Sequence, residues 1–493
     1  MNVDGAVLDD ETGLTEAAEL VERSAAAPPP DQPVDPRRWR SLPLILTATF
    51  MALFDVFVVN VAAPSIKSDL AVGDGGLELV VAGYSFTYAA GLVTGGRLGD
   101  LLGRRRMFVL GMGIFTVASL LCGVAPDETV LIGGRLLQGV GASVMVPQVL
   151  AIISTAFPPA ERARAFSYFG LTVGLGAASG QVLGGVILNA DIFGLQWRPV
   201  FLVNVPIGII AVVGTLRLVR ESRSTVAERI DPLGLVLLVG GLGALLVPLV
   251  LGRSQGWPAW TWMSLVSAVP LLAAFAAWEL RLDRAGGAPL LRLSLLSGRP
   301  VLVGLAINLG YFAFFGSFLY ALTLFLQTGL GDSPLRAGLT FAPLGVAFMI
   351  SSILGRPLAA RHGSRVLTAG TISTLVGLVG FMVTVQSHGL STTTLDLVPW
   401  AALCGVGNGL VVPSLIASVL AGVPGNQAGA VSGALTTTQQ FANALGVAAV
   451  GVVFYDRLQS HGSVSAMTAA LVVDIVLVAV SMGLTMLLRR APR

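Results

Sequence analysis

From Ser41 onward the chain is a succession of apolar runs, each about 20 residues long, the length an α-helix needs to cross ~30 Å of hydrocarbon. Fourteen runs can be traced, over residues 41–65, 78–97, 106–125, 129–153, 165–188, 199–218, 233–252, 260–280, 300–326, 337–359, 366–386, 397–420, 430–455 and 467–488. Hydrocarbon offers no water to a backbone, so each run must close its own hydrogen bonds as a helix. The expected class is an all-α integral membrane protein with 14 transmembrane helices.

Composition agrees that the solvent is lipid. Of 493 residues, 54% are hydrophobic and 12% charged, about half the charge of an ordinary soluble domain. The mean hydropathy is +0.81. A surface facing water needs more charged cover than this chain can supply. Among 30 basic residues the one lysine, Lys67, follows Ile66, whereas a Walker loop needs lysine directly after glycine. An ATP-driven pump is thereby excluded. Cys122 and Cys404 fall inside apolar runs, away from the loop histidines His362, His388 and His461, so neither metal nor redox chemistry is expected.

Residues 1–40 form an acidic, proline-rich tail with AAAPPPDQP at its centre, which reads as disordered. The first apolar run, preceded by Arg37, Arg38 and Arg40, is too long for a signal-peptide core. It is expected to stay uncleaved. Placing both termini and alternate loops on one side gives that side 24 basic residues and the other five: Lys67, Arg198, Arg253, Arg336 and Arg457. Positive loops stay in the cytoplasm, so both termini are expected there, in a bacterial inner (cytoplasmic) membrane.

An internal repeat divides the chain. GVGASVMVP (Gly139 to Pro147) matches GVGNGLVVP (Gly405 to Pro413) at an offset of 266, and Pro158 matches Pro424 at the same offset. The fourth run therefore repeats as the twelfth. The expected organisation is an N-terminal six-helix bundle over 41–220, an insertion of helices seven and eight over 221–295, a C-terminal six-helix bundle over 296–488, and a cytoplasmic end at 489–493.

Between the second and third runs lies GRLGDLLGRRR, which resembles the signature loop of the major facilitator superfamily. Gly96, Asp100, Gly103 and Arg104 occupy its places, with Arg105 beside them. The resemblance implies a carboxylate and guanidinium network that clamps helix ends in one access state. Independently, glycine permits the tight turn, and an aspartate there can cap a helix or pair with arginine. A weaker echo, PLAARHGSR around Gly363, has Ala360 in place of the acid.

The first run, LFDVFVVNVAAP with Asp55, Asn60 and Pro64, and the sixth, WRPVFLVNVPIG, are similar to the fourteen-helix drug:proton antiporters of the EmrB/QacA-like group. The fifth run, with Gly176, Gly180, Gly184 and Gly185, resembles that group's antiporter motif, but Gln181 stands where the motif carries proline. That exchange removes a kink and adds an amide that must be satisfied in or beside the pathway. Leu79, before Tyr84, departs from the tryptophan common there among relatives.

An ionisable group inside a bilayer marks a functional path by default. Asp55 lies ~16 Å and Arg135 ~10 Å from the same outer end at 1.5 Å per residue. Arginine favours the ionised acid and burial the neutral one, so relative movement of the two would load and unload a proton. Asp474, the other acid read as lying well inside a run, is assigned no transport role. Candidate cavity-lining residues are Asn60, Tyr84, Gln138, Asn308, Gln327, Gln440 and Asn443, with Gln439 beside them.

The resulting expectation is a monomeric secondary transporter, not an enzyme. It uses the proton gradient instead of a cofactor, binds a small lipophilic substrate, and has no nucleic-acid partner. Two alternatives stand beside it: an importer or uniporter of a small metabolite on the same fold, and a non-transporting membrane sensor or scaffold. Importers of nutrients need converging polar groups, and a sensor needs a folded soluble domain; the runs and loops supply neither.

Overall fold

When the backbone must bond to itself, helices begin and end where the sequence supplies caps and breaks. The computed structural model describes residues 36–224, 230–296, 298–362, 364–420 and 428–489, and the long elements among them are helices. The first half contains α1 (Arg38–Asp69), α2 (Asp74–Leu102), α3 (Arg104–Gly123), α4 (Glu128–Ala156), α5 (Pro159–Ala190) and α6 (Pro199–Leu218). Two further helices follow, α7 (Pro232–Leu251) and α8 (Ala259–Arg284). The second half contains α9 (Arg299–Leu324), α10 (Ala342–His362), α11 (Ser364–His388), α12 (Thr394–Leu420) and α13 (Ala428–Arg489). A short helix, Pro334–Thr340, leads into α10.

The starts are written locally. Asp127 accepts from the Val130 amide at the head of α4, Asp231 from Gly234 at α7, and Ser333 from Arg336 before Pro334. Proline occupies the first helical turn of α5, α7 and α9, where its missing N–H costs nothing.

Among the described residues twelve helices are long and apolar enough to cross a membrane, and the two arms of α5, Arg164–Gly176 and Ser179–Ala190, bent by 44°, make a thirteenth if taken as one span. The difference from fourteen lies in α13, a 62-residue element broken only at Gly462, where φ 80° and ψ 179° leave helical space. The thirteenth and fourteenth apolar runs lie on either side of that break, joined by the polar residues 456–465. A straight helix of this length would measure ~93 Å, about three times the hydrocarbon thickness. The tail residues 1–35, the chain end 490–493, Gly363 and Pro424 lie outside the described residues.

Within the first half, α1 packs on α4, α5 and α6, while α4 also holds α2 and α3. The second half repeats this, with α12 holding α10 and α11, and α13 packed on α9 and α11. The sequence repeat is visible as duplicated contacts. A Cβ on Gly139 would collide with the Tyr84 carbonyl of α2, and one on Gly405 with the Leu344 carbonyl of α10. A Cβ on Gly141 would lie 2.6 Å from the Phe115 amide nitrogen of α3, and one on Gly407 2.6 Å from the Gly370 carbonyl of α11. Small residues thus let the same backbones approach in both halves. The pair α7 and α8 rests on α2 and α13 through α7.

Polar contacts sort the loops into two ends. At one, Arg38 pairs with Glu161 at 2.7 Å, the Arg104 amide donates to Ser222 at 2.9 Å, and Arg97 donates to the Ala288 carbonyl at 2.9 Å. The Arg38 hydrogen bond holds the Glu161 carboxyl below its ordinary range, so this clip persists as pH falls until that lowered value is reached. At the opposite end, four of the five sparse cations meet acids: Lys67 and Arg253 with Asp74 at 2.5 and 3.2 Å, Arg198 with Asp69 at 2.8 Å, and Arg336 with Asp332 at 3.3 Å.

A Cβ at Gly95 would strike the Ser143 carbonyl of α4, whereas one at Gly113 of α3 meets open space. Gly95→Ala is expected to destabilise by about 1–3 kcal/mol, and Gly113→Ala to be neutral or mildly stabilising by under about 1 kcal/mol. Thermal unfolding of the purified variants in detergent separates the two; equal behaviour would contradict this close packing of α2 on α4.

Candidate functional site

Asp55 sits midway along α1, and its carboxylate is fully buried among α4, α6 and α1 itself. Arg135 of α4, also fully buried, donates through Nη1 to Asp55 Oδ2. The other oxygen, Oδ1, accepts from Gln138 Nε2 at 3.1 Å and Asn204 Nδ2 of α6 at 3.3 Å. Arg135 Nε donates to the Val80 carbonyl of α2 at 2.8 Å, and Nη1 to Gln138 Oε1 at 2.9 Å. Gln138 also reaches Ser119 of α3 at 2.8 Å. The Arg135 Nη2 atom makes no hydrogen bond; instead the guanidinium lies 4.6 Å from the Tyr84 ring centre and 5.8 Å from that of Phe201. Cation–π attraction compensates where hydrogen bonding stops. The Tyr84 hydroxyl donates to the Ala52 carbonyl at 3.0 Å, tying this ring back to α1.

Beside this ionic cluster, but separated from it by α1, lies a central cavity of about 150 Å³ between the halves. Leu53, Val56 and Phe57 line it, whereas Asp55 turns away into α4 and α6. Its walls are aromatic (Tyr311, Phe312, Phe315, Phe341, Phe348) and carry five amides, Gln181, Asn408, Gln439, Gln440 and Asn443. Asn408 donates to the Cys404 carbonyl and Gln439 to Asn308. Gln181, only 4% exposed, has neither Nε2 nor Oε1 hydrogen-bonded, and Gln440 Oε1 and Asn443 Oδ1 are likewise unpaired. Each such buried polar atom costs about 1–3 kcal/mol. A smaller cavity adjoins, sharing Val56, Phe57, Leu319 and Asn443 and adding Asn60 and Ser85.

Of the residues expected to line the cavity, Gln440 and Asn443 do, and Asn60 lines its neighbour. Four do not. Tyr84 and Gln138 are committed to the ionic cluster, Asn308 donates to the Leu435 carbonyl at 2.8 Å, and Gln327 spans the halves to the Val61 carbonyl at 2.9 Å. Their polarity satisfies buried partners, which periodicity alone could not distinguish from facing a void. Gly176, Gly180 and Gly184 bring α5 against α1 at Phe50, Phe57 and Val58, and Gly185 meets the Pro334 carbonyl from the second half.

At the arginine-rich end, Asp100 pairs with Arg104 one turn on, at 2.8 Å. Gly103 adopts φ 112°, and a side chain there would collide with Glu221. The Glu221 carboxylate accepts from the Arg105 and Arg106 amides at 3.0 and 3.2 Å, capping α3, while Arg105 Nη1 donates to the Val219 carbonyl at 3.3 Å. These bonds hold α2, α3 and the end of α6 together within the first half. Gly96 makes only ordinary contact with Pro147.

Asp474 is not the only other submerged acid. It is fully buried and accepts from Ser317 of α9 at 2.5 Å, but Glu78 and Glu279 are buried too. Glu78 packs against Gly451 of α13, with Oε2 unpaired. Glu279 accepts from the Leu291 amide at 2.6 Å. Glu78 and Glu279 sit near the ends of apolar runs, where a loop position looked equally natural. Sequence reasoning also missed Ser119, Glu221 and the role of Asn204, although Asn204 stands inside the WRPVFLVNVPIG motif.

A family model described as Major Facilitator Superfamily matches residues 45–447. A probable actinorhodin transporter of Streptomyces coelicolor is 41% identical over 443 residues, covering 90% of this chain and 76% of the relative. A puromycin resistance protein of Streptomyces alboniger is 34% identical over 442 residues, covering 88% and 86%. Among solved structures, the POT family transporter PepTSo aligns with a TM-score of 0.68 at 16% identity, over 92% of this chain and 99% of that one.

Removing the cation alone would leave Asp55 charged and buried. Arg135→Gln is therefore expected to destabilise the protein by about 3–5 kcal/mol, and adding Asp55→Asn to recover most of that loss. Thermal unfolding of the single and double variants reads the coupling; additive effects would show that the two groups do not depend on each other.

Proposed function

The chain belongs to the Major Facilitator Superfamily, and from that premise we propose that it is a proton-coupled antiporter exporting a lipophilic drug, antibiotic or natural product by alternating access. Drug or antibiotic export is supported by relatives whose names state transport of actinorhodin and resistance to puromycin. The observation that carries proton coupling is the buried pair of Asp55 and Arg135, set behind the cavity wall on α1 and α4.

Asp55 is the proton site. With Arg135 in contact the carboxylate is compensated; once the pair separates, the isolated acid takes up a proton because a lone buried charge is costly. In the arrangement described the acid is sealed, so exchange with water requires α1 to move against α4 and α6. Protonation from outside and release inside accompany the rocking of the two halves, with Arg135 setting the acid's affinity. Each charge crossing is worth about 2.3 kcal/mol per 100 mV, which sustains a roughly fiftyfold gradient of a neutral substrate. The Asp100, Arg104 and Glu221 cluster holds the cytoplasmic ends of α2, α3 and α6 as one body during that movement. The chain works as a monomer in the cytoplasmic membrane with both termini inside.

Cells expressing the wild type are expected to exclude lipophilic antibiotics and dyes, and cells with equal amounts of Asp55→Asn to accumulate them like cells without the transporter. Accumulation measured with and without a proton uncoupler checks the energy source. Export by Asp55→Asn at the wild-type rate, or export that survives collapse of the gradient, would remove the coupling scheme.

A further inference from the structure

Among the described residues lining the central cavity there is no carboxylate, amine, guanidinium or imidazole. Asp55 and Arg135 neutralise each other on the far side of α1. What the cavity does present is a set of rings and unspent amides. Phe57 of the first half and Phe315 of the second meet edge to face at 5.9 Å, and Tyr311, Phe312 and Phe348 extend the apolar wall. Gln181 enters from α5 with a free donor and a free acceptor, while Gln440 and Asn443 enter from α13 with free acceptors.

We propose that this site takes an uncharged, flat aromatic molecule carrying both carbonyl and hydroxyl oxygens, and that Gln181 and Gln440 determine this specificity. The proposal rests on the export reading only in calling the molecule a cargo. Planar rings match the aromatic walls through stacked and edge contacts. A ligand carbonyl satisfies the Gln181 Nε2–H, and ligand hydroxyls satisfy the Gln181, Gln440 and Asn443 oxygens, so polar atoms that have no partner within the protein become paired in the complex. A hydrocarbon of the same shape would leave all of them unpaired. A permanent cation would gain cation–π attraction from the rings but would lose its hydration where no carboxylate replaces it, and the desolvation of a full charge is the larger effect.

Gln181 also occupies the place where the resembling motif carries proline. Proline offers no side-chain hydrogen bond at all, so the exchange converts a hinge position into a reading position. Gln181 lines the cavity from α5 and Gln440 and Asn443 line it from α13, so a ligand that draws their amides into contact would bridge the two halves.

The test is equilibrium binding, at mildly acidic pH where the phenols stay neutral, to the purified full-length chain in lipid nanodiscs, using 2,6-dihydroxyanthraquinone, anthracene and tetraphenylphosphonium as probes. The dihydroxyanthraquinone is expected to bind most tightly, with Gln181→Leu and Gln440→Leu each weakening it about fivefold to tenfold and leaving anthracene binding unchanged. Because the two variants lie in different halves, misfolding of one still leaves the other to decide, and thermal unfolding identifies which has folded. Tetraphenylphosphonium binding as tightly as the dihydroxyanthraquinone would overturn the proposal. So would equal affinity for anthracene, or folded variants that bind all three probes like the wild type. Normal binding without cellular export would instead count against the transport reading alone.

Discussion

A carboxylate and a guanidinium, both shut away from water, govern the arrangement of the first half. Neither is tolerable alone in this environment, and even together they need every remaining donor and acceptor met. The surrounding residues follow from that demand. Gln138 and Asn204 supply the carboxylate with extra donors, Val80 gives the guanidinium a backbone carbonyl, Ser119 fixes the amide that serves both, and Tyr84 covers the face that hydrogen bonds do not reach. Five helices are thereby tied to one charge pair, and the cavity beside it can remain uncharged.

The second half keeps the scaffold and drops the charge. At the repeat offset, Ala401 and Cys404 stand where Arg135 and Gln138 stand in the first half, yet Gly405 and Gly407 reproduce the backbone contacts of Gly139 and Gly141. Packing was conserved within the molecule because two backbones must touch in both halves; ionic chemistry was needed once. The space released in the second half is used for rings, with Tyr311, Phe312 and Phe315 of α9 giving the cavity its aromatic wall. Under the proposed function the work divides accordingly, protons in the first half and much of the cargo surface in the second.

How far the sequence could be read depended on the range of the physics involved. Apolar length and arginine alternation are properties of single segments, and the helices and their ends follow them closely. The pairing of Asp55 with Arg135 was accessible because membrane depth is countable along a helix. Which way a neutral amide faces is another matter. Gln138 and Gln327 carry the same side chain as Gln181 and Gln440, but the first two end on buried partners, whereas the others line the cavity with amide atoms left unpaired. Only the rotation of each helix about its axis decides this, and that rotation is set by neighbours distant in sequence. The α13 element carries both of the last two apolar runs, and the polar stretch between them, DRLQSHGSVS, holds the break at Gly462.

The halves meet from mid-depth to the end opposite the arginine-rich loops. Phe57 touches Phe315, Gln327 reaches Val61, Gly185 meets Pro334, Glu78 lies on Gly451, and Lys67 sits over the Tyr455 ring at 5.0 Å. These contacts become more polar toward the surface, and the outermost group, Lys67, Arg253 and Asp74, is strengthened by pairing with the inserted α7 and its loop. A seam graded in this way opens most readily from its wet edge, because the outer charges recover hydration as they part whereas the inner rings gain nothing from water. Closure at one end and an apolar cavity below it are thus consequences of the same ordering of side chains along α1, α2 and α13.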